Sequence, residues 1–274
     1  MKMNKKLAWF EENTPKPTRI RNYYKISLKD FEKKVLSYDE ELTNSIYSGD
    51  VYIINGVVDP KKLHEIKAKA IEWGKQRQST YEPMVEGAKD FHQVIQEGGA
   101  SEKYAIKPVR HSYFFFRWND DPLDLFHCTN HIWGLVKTFG GFPYNAYVSN
   151  TPIGGVVDRA QIAHYPPGAG MIPRHSDPFH NQKLILGVYI SKYGKDFKKG
   201  GIYFVDKTDK DILLEPEINP GDAVVAYATI THGVACVDPD STPDWNTPEG
   251  RWFLGLYSND SNEKKERITS YIVK

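Results

Sequence analysis

The 274 residues carry 36 basic and 35 acidic side chains, and a net charge of +1 offers no field to attract nucleic acid or an anionic membrane. Charged residues make up 26% of the chain and hydrophobic ones 40%, a globular composition that excludes wholesale disorder. Cys128 and Cys236 cannot build a disulfide framework, so a reducing compartment, the cytoplasm, is expected. The basic N-terminus runs into only Leu7-Ala8-Trp9-Phe10 before Glu11, too short an apolar run for a secretory signal. Nothing approaches the ~18 apolar residues of a membrane span, so no membrane partner is expected.

Leu28, Phe31, Val35 and Leu36, scattered among lysines, predict short surface helices in the first 50 residues. Val51-Tyr52-Ile53-Ile54 closed by Asn55-Gly56 reads as a strand and turn. Asp59-Pro60 then opens a helix carrying Leu63, Ile66, Ala70 and Trp73, with Gly74 as its stop. Residues 113–118 read as a strand, mainly core, with a share of it placed to line a substrate pocket; Arg110, His111 and Arg117 flank it. Asp120-Asp121-Pro122 starts a second helix that ends near Gly140-Gly141. Beyond residue 160 the period changes. Short segments at 161–165, 172–177, 184–190, 202–205, 212–214, 223–227, 233–237 and 252–257 alternate with Gly, Pro, Asn and Asp, as in a β-sandwich or barrel. The fold class is therefore α+β, mainly β, with helices of the first half packed on a double sheet.

His175 and Asp177 stand at i and i+2 of a predicted strand, so both side chains share a face. His232, where one strand gives way to the next, is the best third member. Two imidazoles and one carboxylate suit non-haem Fe(II), because they leave part of the coordination sphere open. A lone His-x-Asp means little in a chain with 9 histidines. Its weight comes from order, and from Arg251 at the head of the last strong strand, where a buried guanidinium needs an anion. Elsewhere blander readings hold. His127, Cys128 and His131 make a helix face, Arg174 points outward by strand parity, and Gly200-Gly201 is a turn.

The order Ala163-His164-Tyr165-Pro166-Pro167-Gly168, His175-Ser176-Asp177, Gly187-Val188-Tyr189-Ile190-Ser191, Gly200-Gly201-Ile202-Tyr203-Phe204, Pro220-Gly221-Asp222, His232-Gly233-Val234 and Arg251 resembles the Fe(II)/2-oxoglutarate-dependent dioxygenases. Within them it is most similar to the prolyl-hydroxylase-like group. The resemblance spans roughly residues 160 to 260. It implies a double-stranded β-helix (jelly-roll, cupin-like) core in residues 151–260, a substrate-selecting region in 1–150 and a tail in 261–274, all in one domain. It further implies Fe(II) on His175, Asp177 and His232, 2-oxoglutarate as cosubstrate with O2, its far carboxylate on Arg251 supported by Tyr189, and Tyr165 near the metal. One departure stands out: 19 positions separate His232 from Arg251, longer than usual in the family, and residues 238–250 read as an inserted loop. The implied activity is oxidation, by default hydroxylation, of an unactivated C–H bond in a small molecule or amino acid. A peptide side chain as substrate, or a non-catalytic jelly-roll binding module, is the alternative.

Overall fold

A computed structural model describes residues 14–99, 106–149, 151–152 and 154–273. The N-terminal run weighed above as a signal peptide lies outside them. Among the described residues the elements are β1 (Tyr23–Ser27), α1 (Leu28–Leu36), α2 (Glu40–Tyr47), β2 (Val51–Asn55), α3 (Pro60–Lys75), β3 (Phe91–Ile95), β4 (Arg110–Phe116) and α4 (Leu125–Phe139). There follow β5 (Val156–Tyr165), β6 (Ile172–Ser176), β7 (Leu184–Tyr189), β8 (Gly201–Val205), β9 (Asp211–Leu213), a 3-10 turn (Glu215–Glu217), β10 (Ala223–Tyr227), β11 (His232–Ala235), β12 (Arg251–Asp260) and β13 (Tyr271–Ile272).

Two sheets result. The larger has 8 strands in the order β1-β2-β10-β7-β12-β5-β4-β3, and the smaller has 5 in the order β13-β6-β11-β8-β9. Only β1–β2 pairs in parallel within them. The spine of the large sheet is β5 against β12, in register from Arg251↔Tyr165 to Asp260↔Val156. Strand alternation sorts its residues. Arg159, Gln161 and Tyr165 of β5 face the small sheet and line the cavity between the two. Ile162 and His164 face the other way, joining a core with Leu63, Ile66 and Ala70 of α3. This is the expected mainly β jelly-roll with helices laid on one sheet.

Helix boundaries show where local chemistry was overridden. Asp59 caps α3 as expected, its carboxylate accepting from the Lys61 N–H at 2.9 Å. Gly74 does not stop that helix, which runs to Lys75. A Cβ at Gly74 would lie 2.7 Å from the Tyr113 ring, so the missing side chain serves the approach of β4. Helix α4 begins at Leu125, later than Asp120-Asp121-Pro122 suggested, yet Asp121 still caps it, accepting from the Leu125 and Phe126 N–H groups at 2.8 Å each. Strands β1, β3 and β13 were not expected. All three lie at sheet ends; β1 and β13 are exposed there, so little burial marks their sequence, while β3 buries Phe91, His92 and Ile95. No described helix is long and apolar enough to cross a membrane.

Candidate metal and anion site

Cross-strand pairing brings the histidines together. His175 on β6 sits opposite His232 on β11, their ring centroids 4.3 Å apart. Asp177, one residue beyond β6, is tied to its place by a backbone hydrogen bond from its N–H to the Ala228 carbonyl at 2.9 Å. One donor atom from each of the three lies within 4.8 Å of the others, and all three residues are buried. Each imidazole is oriented from behind. His175 Nδ1 lies 2.8 Å from the Pro173 carbonyl and His232 Nδ1 lies 2.9 Å from that of Ile230. A carbonyl only accepts, so both Nδ1 atoms carry a proton, and each ring in its neutral form presents a lone pair on Nε2. Those Nε2 atoms face the Asp177 carboxylate at 3.9 Å and 3.6 Å. Burial, with His232 alongside, pushes the His175 imidazole down to about 4, so it is neutral at pH 7. Two imidazole nitrogens and one carboxylate fit a divalent transition metal with open positions remaining.

Arg251 opens onto the same cavity as the triad, 1% exposed. Its Nε donates to Glu215 Oε2 at 2.9 Å, and that oxygen also accepts from the Ile202 N–H at 2.6 Å. Burial works against the guanidinium's charge, but the Glu215 carboxylate outweighs it and holds Arg251 above its usual range. The rings of Tyr165, Tyr189 and Phe253 surround the guanidinium carbon at 5.0, 5.2 and 5.3 Å. Arg251 Nη1 is buried with no hydrogen-bond partner among the described residues. A buried donor left without a partner costs about 1–3 kcal/mol unless an acceptor arrives. A carboxylate of a bound ligand would satisfy it, and Arg251 has a donor to spare because Glu215 occupies only Nε. Burial drives the Tyr189 hydroxyl well above its ordinary range, so it stays protonated and able to donate.

All six residues singled out in the sequence, His175, Asp177, His232, Arg251, Tyr189 and Tyr165, therefore line one cavity. The loop at 238–250 takes up the extra length between His232 and Arg251 without displacing the arginine, and Pro248 in it accepts from Trp252 Nε1 at 2.9 Å. Arg174 points away from the cavity, as parity required, and pairs with Asp209 and Asp211 at 3.0 and 2.8 Å. Two residues escaped sequence reasoning. Glu215 stands in Glu215-Pro216-Glu217, which reads as a surface turn; the available signal was Gly201, where a Cβ would fall 2.7 Å from that carboxylate. Ser270 lies in the segment taken for a tail, yet its Oγ donates to Asp177 Oδ1 at 2.8 Å, and β13 just beyond it pairs with β6.

No family model matches the sequence, and no curated protein matches it. Solved structures do match, at low identity. JOX2 in complex with 2OG, Fe and JA superposes with a TM-score of 0.52 at 14% identity, over 94% of this chain and 80% of that one. The non-heme alpha ketoglutarate dependent epimerase SnoN from nogalamycin biosynthesis gives 0.50 at 12%, over 85% and 83%. A full-length Neurospora crassa protein in complex with alpha-KG and 5-formyluracil gives 0.50 at 15%, over 88% and 85%. At such identities the likeness is one of fold, and it extends over most of the chain.

Proposed function

We propose that the protein is a non-haem Fe(II)/2-oxoglutarate-dependent dioxygenase that hydroxylates an unactivated C–H bond of a small molecule, releasing succinate and CO2. The observation that carries this reading is the coincidence, in one buried cavity, of the His175/Asp177/His232 donor set with an unpartnered Arg251 Nη1. When bound, Fe(II) and 2-oxoglutarate supply the power to reduce O2 and abstract a hydrogen atom, chemistry that amino-acid side chains lack. The chain's own residues do the holding. His175 and His232 offer Nε2 lone pairs in orientations set by the carbonyls of Pro173 and Ile230. Asp177 offers a carboxylate that Ser270 steadies from the other side. Arg251 meets the far carboxylate of the cosubstrate with Nη1 while Glu215 keeps its fork from turning, and the Tyr189 hydroxyl supports the same group. The surrounding apolar side chains exclude water, which strengthens each of these contacts.

A small molecule is favoured over a peptide by the pairing beside the metal ligands. One way an extended peptide binds is by adding a strand, and the edge of β6 at His175 and Ser176 is already paired with β13. Residues 267–270 also line the adjoining cavity.

The test is succinate formation from 2-oxoglutarate by the purified protein with Fe(II) and O2, followed by mass spectrometry alongside metal analysis. Iron at one equivalent and Fe(II)-dependent succinate are expected, with Asp177→Ala losing both by more than about 100-fold, since even partners outside the ligand set cost 10–100-fold. No iron affinity and no succinate would leave a non-catalytic jelly-roll module.

A further inference from the structure

The guanidinium that faces the metal cavity carries its own counter-ion. Glu215 Oε2 accepts from Arg251 Nε at 2.9 Å, and both side chains are buried. Arg251 lines the cavity and Glu215 does not, so the guanidinium stands between this carboxylate and any ligand. The chain builds a slot for the acid. Gly201 opens β8 at a φ of +105°, and a Cβ there would lie 2.7 Å from both Cγ and Oε2 of Glu215. With that Cβ missing, the Ile202 N–H reaches the same oxygen at 2.6 Å. The 3-10 turn bearing Glu215 is tied down at both ends. The Leu214 N–H donates to the Ile202 carbonyl at 3.0 Å, the Ile218 N–H donates to the Glu215 carbonyl at 3.2 Å, and Leu214 and Ile218 are buried. A carboxylate held this firmly fixes the plane of the fork and leaves Nη1 as the donor without a partner among the described residues.

Electrostatics gives the pairing a second consequence. Arginine and glutamate together are neutral, so a carboxylate arriving at Nη1 brings the group to a net negative charge where the dielectric is low. Two hydrogen bonds of about 3 Å and the width of the guanidinium put the two carboxylates roughly 6–7 Å apart. Attraction to the arginine wins because it acts over the shorter distance. A like charge at that range still weakens binding by about tenfold or more at an effective dielectric near 20. Without Glu215 the arginine would grip an anion more tightly, but it would stand as an unpaired buried cation whenever none was bound.

We propose that Glu215 is a positioning residue that fixes the Arg251 fork for the cosubstrate and, as a resident like charge, lowers the affinity for that cosubstrate. The assignment rests on the dioxygenase reading and adds to it a restraint on cosubstrate binding. Fractional loading then responds to 2-oxoglutarate over a higher concentration range than a bare arginine would allow.

The experiment is anaerobic isothermal titration of the full chain, loaded with Fe(II), with 2-oxoglutarate and with 2-oxopentanoate, which has the same chelating end and a methyl group in place of the far carboxylate. The quantity read is the preference for the dicarboxylate, a ratio of dissociation constants within one variant, so partial loss of folded protein cancels. Glu215→Gln keeps an acceptor for Arg251 Nε and the Ile202 N–H but removes the charge, and is expected to raise the preference about tenfold or more. Glu215→Asp, which keeps the charge, is expected to leave it near the wild-type value. Arg251→Gln is expected to abolish it. A preference unchanged or lower in Glu215→Gln, or raised as far in Glu215→Asp, would overturn the proposal. If Glu215→Gln is too unstable to titrate, its unfolding midpoint is read with each oxo acid present. 2-Oxoglutarate is then expected to raise the midpoint above that with 2-oxopentanoate by more than in wild type, and an equal or smaller gap overturns the proposal. Failure of the dioxygenase reading has a different signature: no Fe(II)-dependent binding of 2-oxoglutarate to the wild-type chain, which removes this proposal with it.

Discussion

The large sheet and the small sheet each carry a packed group of histidines, buried but for His111, and the two groups could hardly be used more differently. On the helix-facing side of the large sheet, His92, His111 and His164 stack with Tyr113 and Trp252, the His164 ring 4.3 Å from that of Trp252. There each ring finds its partner inside the core. His92 Nε2 meets the Arg77 carbonyl at 2.9 Å, so it must donate. His92 Nδ1 meets His111 Nε2 at 2.8 Å, His111 Nδ1 meets the Tyr113 hydroxyl at 3.3 Å, and His164 Nε2 donates to the Glu249 carbonyl at 2.6 Å. On the small sheet only Nδ1 of each histidine is used, and both Nε2 atoms converge on a carboxylate. Burial alone therefore does not mark a metal ligand. The mark is a lone pair left over after hydrogen bonding, with negative charge in front of it.

The largest expected effect tests that contrast directly. His232→Asn is expected to lower iron affinity by more than about 100-fold, whereas His164→Asn leaves the iron stoichiometry of the folded protein unchanged, as metal analysis after dialysis would show. Equal loss in both would erase the distinction. A smaller effect comes from the carboxylate between the two small-sheet histidines. Ser270→Ala removes the hydroxyl on Asp177 Oδ1 and is expected to cost about tenfold in iron affinity, with Ser270→Thr restoring it, read by competition with a chelator.

The smallest effect belongs to the helix-facing group and concerns pH. Burial pushes the His164 imidazole down to about 4 and that of His111 to about 3. Both lie below the value near 6.5 of an unfolded histidine, so the unfolded chain takes up the proton first. Their contribution to stability is therefore intact above about pH 6.5 and is lost as the pH falls toward the folded values. Urea unfolding at pH 7.5 and 5.5 is expected to show a loss of about 1 kcal/mol from His164 alone. In His164→Asn that part of the pH dependence disappears; an unchanged slope would mean that the ring is not the neutral, buried group described.

Much of this was legible in the chain, for identifiable reasons. Residues 223–227 are read as a strand and form one, β10 (Ala223–Tyr227), because a β-branched run between turn residues leaves the backbone little choice. His175 and Asp177 were readable because period-two alternation places i and i+2 on one face whatever the surroundings. The span of β12 was underestimated, since its ten-residue length comes from pairing with β5 rather than from its own pattern. Gly74 was misread because a helix stop and a close approach leave the same letter in the sequence.

What the sequence alone determined, then, is what depends on neighbours along the chain: the change from helical to strand period near residue 160, the absence of charge bias, and the His-x-Asp with its later histidine and arginine. Tertiary structure decided what depends on neighbours across it. Glu215 is 36 residues before Arg251, and Ser270 is 93 after Asp177, yet each holds its partner's side chain. Arg110 and Arg159 meet at one cavity only because β4 and β5 pair edge to edge. Hydrogen bonds and charges act over a few ångströms of space, and sequence separation carries no record of that distance.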